Sequence, residues 1–228
     1  MIRDKRKEGS SRPRVVLVEA SARRPSLGHR IADEVADEVA RHGAELRRQD
    51  LLGDRFDPVL RLDRGETYPT LDSPNRDPIT DRYREDVRGG DVFVIVHPVW
   101  WFAPPAILKG WIDKLLIHEV AIEQRTPGPP RPLLSGRSAC VIQTFKATFE
   151  NDVELMGRMS ERFWRTGVFP SVGIDDVRRL ALYRVEDLEP ERLDAFLARV
   201  RRVVGGLLET QACPQRARER ERGRLRQR

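Results

Sequence analysis

Apolar positions along this chain alternate between continuous runs and stretches with helical spacing. Residues 14–20, 92–96 and 138–144 are short runs rich in apolar or β-branched side chains. Continuous runs of this length are typical of strands that are buried on both faces of a parallel sheet. Further strands are predicted at residues 44–50 and 168–174.

Between these runs, apolar side chains recur every three or four residues, which is typical of amphipathic helices. The spacing predicts helices from about residue 27 to 42, at 79–88, from Pro104 or Pro105 to 116, at 152–165 and at 193–207. The apolar face of the fourth helix is expected to include Leu155, Met156, Met159, Phe163 and Trp164.

Strands that alternate with helices predict an α/β fold, in which five strands form a doubly wound parallel sheet with helices on both faces. One domain is expected over residues 14–210, and the polar ends, residues 1–13 and the basic tail 211–228, are expected to be disordered. Residues 54–78 are rich in Asp, Arg, Pro and Gly, so we interpret them as a long excursion near the ligand edge.

The most specific motif is the segment 98–113, which reads Pro-Val-Trp-Trp-Phe-Ala-Pro-Pro-Ala-Ile-Leu-Lys-Gly-Trp-Ile-Asp. It places an aromatic loop after a strand, where open α/β sheets bind ligands. The segment resembles the flavodoxin-like NAD(P)H:quinone oxidoreductases, a family that includes the potassium-efflux ancillary flavoproteins. The resemblance covers most of residues 14–205 and implies the flavodoxin-like strand order 2-1-3-4-5.

That family holds its flavin, FMN or FAD, with three loops, which correspond here to residues 21–28, 98–104 and 144–151. The first loop leads into a helix N-terminus, which attracts anions, and its arginines offer charge-assisted bonds to phosphate. We therefore assign the flavin phosphate to Ser21, Arg23, Arg24, Ser26 and Leu27. In the alternative interpretation, Ser26 only caps the helix and the arginines are solvated.

The second loop corresponds to the segment that contacts the flavin ring in the family. Three consecutive aromatic residues cannot all point inward from one strand end, so at least one should line a pocket. Ordinary core packing at the strand end is the alternative. The predicted contacts are Pro98, Val99, Trp100, Trp101 and Phe102.

The third loop departs from the family, which often has Thr-Thr-Gly-Gly here and a Tyr and a His further on. Residues 143–149 read Gln-Thr-Phe-Lys-Ala-Thr-Phe, and no histidine follows His118. Thr144, Phe145 and Lys146 are assigned to the site, with Phe145 filling part of it. Lys146 is hypothesised to place a positive charge near the flavin N1 and O2 edge and to favour an anionic reduced flavin. A solvent-facing lysine is the open alternative.

The resemblance implies a homodimeric NAD(P)H oxidoreductase that reduces quinones or related electrophilic acceptors, with the hydride passing through flavin N5. The chain has no Gly-x-Gly-x-x-Gly or P-loop motif, so donor and acceptor are expected to use one flavin face in turn, with ping-pong kinetics. The altered third loop leaves open a regulatory or partner-binding subunit with weak or no catalysis.

Other features of the chain narrow these possibilities. The four histidines, at positions 29, 42, 97 and 118, lack the spacing of a metal centre or a catalytic triad, and His97 is expected to be packed and neutral. Cys140 is expected in the core, and Lys109, Asp113 and Lys114 are expected to be solvated or paired.

The formal net charge of +6 is concentrated at the two ends, above all in residues 216–228. No nucleic-acid-binding signature accompanies this charge, so a nucleic-acid partner is disfavoured. Neither a signal-type segment nor a membrane-spanning run is present in the sequence, and a cytoplasmic location is expected.

Overall fold

Five parallel strands form the central sheet of the structure, a computed structural model that describes residues 12–124 and 128–212. The sheet order is β2-β1-β3-β4-β5, which confirms the predicted order 2-1-3-4-5. The strands are β1 (Arg14–Glu19), β2 (Glu45–Asp50), β3 (Val92–Pro98), β4 (Ser138–Thr144) and β5 (Asp176–Leu182).

Helices cover both faces of this sheet, as predicted. Helices α1 and α6 pack with one hydrophobic cluster, while α2 and α3 pack with the other. The helices are α1 (Leu27–Arg41), α2 (Pro78–Gly89), α3 (Ala106–Leu115), α4 (Met159–Arg162), α5 (Phe169–Ser171) and α6 (Pro190–Ala212). A short antiparallel pair, Ile122–Glu123 with Arg131–Pro132, lies outside the main sheet. None of the helices in the described ranges has the length and apolar character needed to cross a membrane.

The central strand β3 is apolar at consecutive positions because it lies between the two hydrophobic clusters. Val94 and Val96 belong to the cluster under α1 and α6, whereas Phe93 and Ile95 belong to the cluster under α2 and α3. Both faces of β3 are therefore buried. Cys140 on the neighbouring strand is also fully buried, as expected.

The prediction of a fifth strand at residues 168–174 is wrong. Phe169–Ser171 is a helical turn with Pro170 in its first turn, where the missing N–H is tolerated. The fifth strand is instead β5, an edge strand in which buried Val177, Leu180 and Leu182 are separated by charged or partly exposed residues. The prediction relied on continuous apolar runs, which occur in strands buried on both faces, so it missed a strand with interspersed polar residues.

The predicted continuous helix over residues 152–165 is also wrong. Two π-helical turns, Asn151–Leu155 and Phe163–Val168, flank the short α4, and Gly157 and Arg158 have φ values of 57° and 56°. Of the expected apolar face, Trp164 is buried, but Leu155 and Met159 are 72% and 44% exposed.

The expectation of disordered ends falls largely outside the described residues. Residues 1–11 and 213–228 are not among them, while α6 extends to Ala212, five residues beyond the predicted helix end.

Candidate functional site

Three loops leave adjacent strands at the same edge of the sheet. The N–H of Ala20, after β1, donates to the carbonyl of Val96 on β3 at 3.0 Å, and the N–H of Val99 donates to Thr144 on β4 at 2.9 Å. In the sheet, β2 lies on one side of β1 and β3 lies on the other, so the strand order changes direction between β1 and β3. Open α/β sheets bind ligands at such a switch point.

The first loop ends in a polar cradle at the N-terminus of α1. Ser26 caps the helix by accepting the N–H of His29 at 3.2 Å, which leaves the N–H groups of Leu27 and Gly28 without intrahelical acceptors. The Oγ of Ser21 is buried and has no hydrogen-bond partner among the described residues. A Cβ on Gly28 would lie 2.2 Å from this Oγ, so any larger residue here would force the Ser21 hydroxyl to move. Free N–H groups beside an unsatisfied hydroxyl fit a phosphate group.

The arginines of this loop take different positions. Arg23 is exposed, and the half-exposed Arg24 contacts the carboxylate of Asp50 at the end of β2. The structure therefore combines elements of both interpretations, since Ser26 caps the helix while unsatisfied donors remain beside it. The phosphate assignments of Ser21, Arg23, Arg24, Ser26 and Leu27 remain predictions.

The second loop is a tight turn with an aromatic tip. Trp100 and Ala103 exchange two backbone hydrogen bonds of 3.0 Å, and the central residues Trp101 and Phe102 have φ values of 51° and 60°. Positive φ at both central positions defines a type I′ turn, which normally uses Gly or Asn, and such outliers cluster at functional sites. Trp101 is 94% exposed, which confirms that the three aromatics do not all pack inward.

His97 lies directly beneath this loop and supports its first residue. Its Nδ1 lies 2.8 Å from the carbonyl oxygen of Pro98, and its Nε2 lies 3.1 Å from Trp164 Nε1 and 3.2 Å from Gln143 Nε2. One assignment satisfies all three contacts: Nδ1–H donates and Nε2 accepts. Burial lowers the pKa of His97 to about 4, which confirms the expected packed neutral histidine.

The third loop is closed by its own side chains. Phe145 is buried against the ring of Tyr183, with ring centroids 4.8 Å apart. Its N–H donates to Leu182. Lys146 points to solvent and pairs with Glu186 at 2.6 Å. The structure thus places Thr144 and Val99 together by their backbones, while the side chain of Lys146 is directed to Glu186.

A buried charged group below the third loop was not predicted from the sequence. Asp152 is fully buried, and its Oδ2 accepts hydrogen bonds of 2.7 Å from both Arg179 and the hydroxyl of Tyr183. Burial, reinforced by the bond to Asp152, raises the pKa of Tyr183 to about 12. Because Asp152 and Arg179 come from the two elements that were predicted incorrectly, spacing offered no signal for this group.

Comparison with known proteins agrees with this architecture. The sequence profile of a family described as having a flavodoxin-like fold matches residues 13–204. An uncharacterized NAD(P)H oxidoreductase of Escherichia coli (strain K12), YcaK, is 30% identical over 102 residues, which cover 45% of this chain. FMN-dependent NADH:quinone oxidoreductase 2 of Clostridium perfringens is 24% identical over 155 residues, which cover 67% of this chain and 76% of that protein.

Similarity in structure extends further than similarity in sequence. The NAD(P)H:quinone oxidoreductase from Methanothermobacter marburgensis superposes with a TM-score of 0.69 at 21% identity, covering 86% of this chain and 99% of that one. By sequence, the chain spans about half the length (52%) of the Escherichia coli relative. The profile match over most of the chain and the shared fold lead to one conclusion: the chain belongs to the flavodoxin-like family that includes the NAD(P)H:quinone oxidoreductases.

Proposed function

We propose that this protein is a flavin-dependent oxidoreductase that uses NAD(P)H to reduce quinones or related electrophilic acceptors. The observation that carries the proposal is the meeting of two features at the β1/β3 switch point. One is the polar cradle of Ser21 and Gly28, and the other is the strained aromatic turn at Trp101 and Phe102. The named activities of the relatives support the same reaction.

The residues at this edge fit FMN. Ser21 and the free N–H groups at the start of α1 would hold its phosphate, and residues 98–102 would line its ring. We favour FMN over FAD because the relative from Clostridium perfringens is named as FMN-dependent. When bound, the flavin would supply the hydride chemistry, taking hydride from NAD(P)H and passing it to the acceptor.

The protein's own contribution would be position and the exclusion of water. The hydrogen bond from His97 fixes the carbonyl of Pro98, so the backbone of the second loop is ordered before a ligand arrives. The exposed side chain of Trp101 offers a flat apolar surface beside that backbone. The chain lacks a dinucleotide-binding Gly-x-Gly-x-x-Gly motif, which supports donor and acceptor using one site in turn.

Assembly as a homodimer is part of the proposal. The three loops leave the aromatic tip open to solvent, and apolar side chains near the third loop are exposed as well, among them Phe149 at 47% and Leu155 at 72%. A second copy placed against this surface would cover these side chains and complete the pocket. We also place the protein in the cytoplasm, because the proposed reaction depends on the cytoplasmic reductants NADH and NADPH.

A regulatory subunit with weak or no catalysis is the second candidate. The third loop favours this candidate, because it has no glycine pair whose backbone could approach the flavin pyrimidine edge. Its side chains are also engaged elsewhere, since Phe145 is buried and Lys146 pairs with Glu186. Such a subunit would bind flavin through the first two loops and turn over slowly.

Steady-state kinetics distinguish these two functions. The protein is loaded with FMN, and NADH or NADPH oxidation is followed at several concentrations of a soluble benzoquinone. Parallel double-reciprocal lines with turnover above about 1 s⁻¹ are expected of the enzyme. FMN binding without quinone-dependent NAD(P)H oxidation would contradict the proposed enzymatic function and would support the function of a regulatory subunit.

A further inference from the structure

A second cluster of ligand-type atoms lies at the same edge of the sheet, at the ends of β1 and β2. It is formed by Glu19, which ends β1, Asp50, which ends β2, and His29 in the first turns of α1. Glu19 and Asp50 are direct neighbours in the strand register. One ligand atom of each residue lies within 4.8 Å of the other two. None of these residues has a role in the proposed flavin site.

Each of the three side chains has one polar atom held by a partner. Glu19 accepts two bonds from Arg48 at its Oε2, of 2.6 and 3.2 Å. Asp50 accepts the N–H of Gly53 at its Oδ1, at 2.8 Å. The Nδ1 of His29 lies 2.7 Å from the Oγ of Ser26. Hydrogen bonds of this kind orient the ligands of metal sites in proteins.

The second polar atom of each side chain is buried and makes no hydrogen bond within the described residues, although the Asp50 atom is in ionic contact with Arg24. These atoms are Glu19 Oε1, His29 Nε2 and Asp50 Oδ2. The first two are 2.7 Å apart but not in hydrogen-bond geometry, and the imidazole atom is 4.0 Å from Asp50 Oδ2. Bonds of about 2.0–2.2 Å to one zinc ion allow ligands to be up to about 4.4 Å apart, and both separations lie within that limit.

We propose that Glu19, His29 and Asp50 form a binding site for one divalent cation. An imidazole nitrogen with two carboxylate oxygens suits Zn²⁺ or Mn²⁺ better than Mg²⁺, which prefers oxygen ligands throughout. The two carboxylates supply negative charge toward the ion, part of which Arg48 offsets at Glu19, and the tautomer with a proton on Nδ1, donated to Ser26, leaves the Nε2 lone pair free.

Arg24 is the group with which the cation competes. Its guanidinium contacts Asp50 Oδ2, and its side chain is 53% exposed. Because the arginine side chain itself is half-exposed, its guanidinium can turn to solvent when an ion replaces it at the buried Asp50. Arg24 therefore covers the Asp50 oxygen that an ion would need. Three separate elements contribute the ligands, which explains why histidine spacing in the sequence did not reveal them.

Calorimetric titration of the full-length protein with Zn²⁺, without flavin, tests the proposal. The wild-type protein should bind one Zn²⁺ per chain, Asp50→Asn should weaken binding at least 10-fold, and Arg24→Gln should strengthen it several-fold. His42→Gln is the matched control. His42 lies on the same helix and also faces carboxylates, Glu38 and Glu209, but it lies outside the cluster, so Zn²⁺ affinity should not change.

Two results would overturn the site. One is the absence of saturable Zn²⁺ binding in both the wild-type protein and Arg24→Gln. The other is Zn²⁺ binding that Asp50→Asn leaves unchanged, which would place the ion elsewhere on the chain. If Asp50→Asn fails to fold, the exposed Arg24→Gln variant decides the question, because affinity equal to or below that of the wild-type protein contradicts the proposed competition.

Discussion

The imidazole of His97 holds the carbonyl oxygen of Pro98, the next residue in the chain, through a hydrogen bond of 2.8 Å. This contact joins the buried polar layer under the sheet edge to the loop that is proposed to carry the flavin ring. The neighbouring contact from Trp164 depends on a neutral imidazole, because Nε2 must accept the Trp164 N–H while Nδ1 donates to Pro98. Protonation of Nε2 would break that acceptor contact.

Acid should therefore weaken the fold over a defined pH range. Burial lowers the pKa of His97 from 6.5 to about 4, so between these values the unfolded chain takes up a proton that the folded chain does not. His97 alone is expected to lower the free energy of unfolding by about 3 kcal/mol as pH drops from 6.5 to 4. Urea unfolding at several pH values measures it.

The variant His97→Asn isolates this contribution. Its amide can still donate to Pro98, but it does not titrate, so its stability should change less between pH 6.5 and 4. Equal slopes in the wild-type protein and His97→Asn would contradict the assignment.

Replacing Ser21 with Ala should have opposite effects on stability and on ligand binding. Its buried Oγ has no hydrogen-bond partner, so its removal should leave the flavin-free protein unchanged or more stable by about 1 kcal/mol. FMN affinity should fall roughly 10-fold, because a hydrogen bond to a charged phosphate is lost. Thermal unfolding and FMN fluorescence titration measure the two quantities.

Ser160→Ala is the matched control for Ser21. Ser160 is also buried, but its Oγ accepts a hydrogen bond of 2.6 Å from Gln143, so its loss should reduce stability by about 1 kcal/mol. FMN affinity unchanged in Ser21→Ala would remove Ser21 from the phosphate site.

The conformation of the aromatic turn should favour FMN binding and lower the stability of the protein. Trp101 has a φ of 51°, a conformation that costs a non-glycine residue about 1–2 kcal/mol. Trp101→Gly should therefore match or exceed the wild-type stability while weakening FMN binding by about 10-fold or more. Tyr68→Ala, another exposed aromatic residue outside the three loops, should leave FMN affinity unchanged. A Trp101→Gly variant that binds FMN normally would show that this turn has another purpose.

Lys146 should have little influence on the flavin. Its side chain is 77% exposed and pairs with Glu186, so Lys146→Met is expected to leave the midpoint potential of bound FMN unchanged. Lys109→Met, which removes another exposed lysine paired with a carboxylate, sets the baseline for a surface charge. A clear potential shift in Lys146→Met alone would restore the hypothesis of a charge near flavin N1 and O2.

The parts of the fold that sequence predicted well are those in which burial is uniform. β3 is apolar at every position because both of its faces are covered, and α6 shows its buried stripe over many turns. β5 escaped prediction because it is an edge strand whose arginines bond to Gln143 and neighbouring acids. The helix expected over residues 152–165 failed because the chain turns at Gly157 into a left-handed conformation.

Some features of the candidate site could be predicted from the sequence, and others could not. The aromatic motif was recognisable because adjacent residues form it. The cradle of Ser21 and Gly28, the support of Pro98 by His97 and the cluster of Glu19, His29 and Asp50 depend on tertiary proximity. Contacts between separate elements leave no periodic trace in a single sequence, so these features required the structure.

The most direct measurement of the central claim is the visible spectrum of the purified protein. After incubation with FMN and removal of free cofactor by gel filtration, the protein should retain flavin absorbance near one FMN per chain. Anaerobic addition of NADH or NADPH should bleach that absorbance, and a benzoquinone should restore it. A protein that leaves the column colourless, or that holds FMN without being bleached by either NADH or NADPH, would contradict the proposed oxidoreductase.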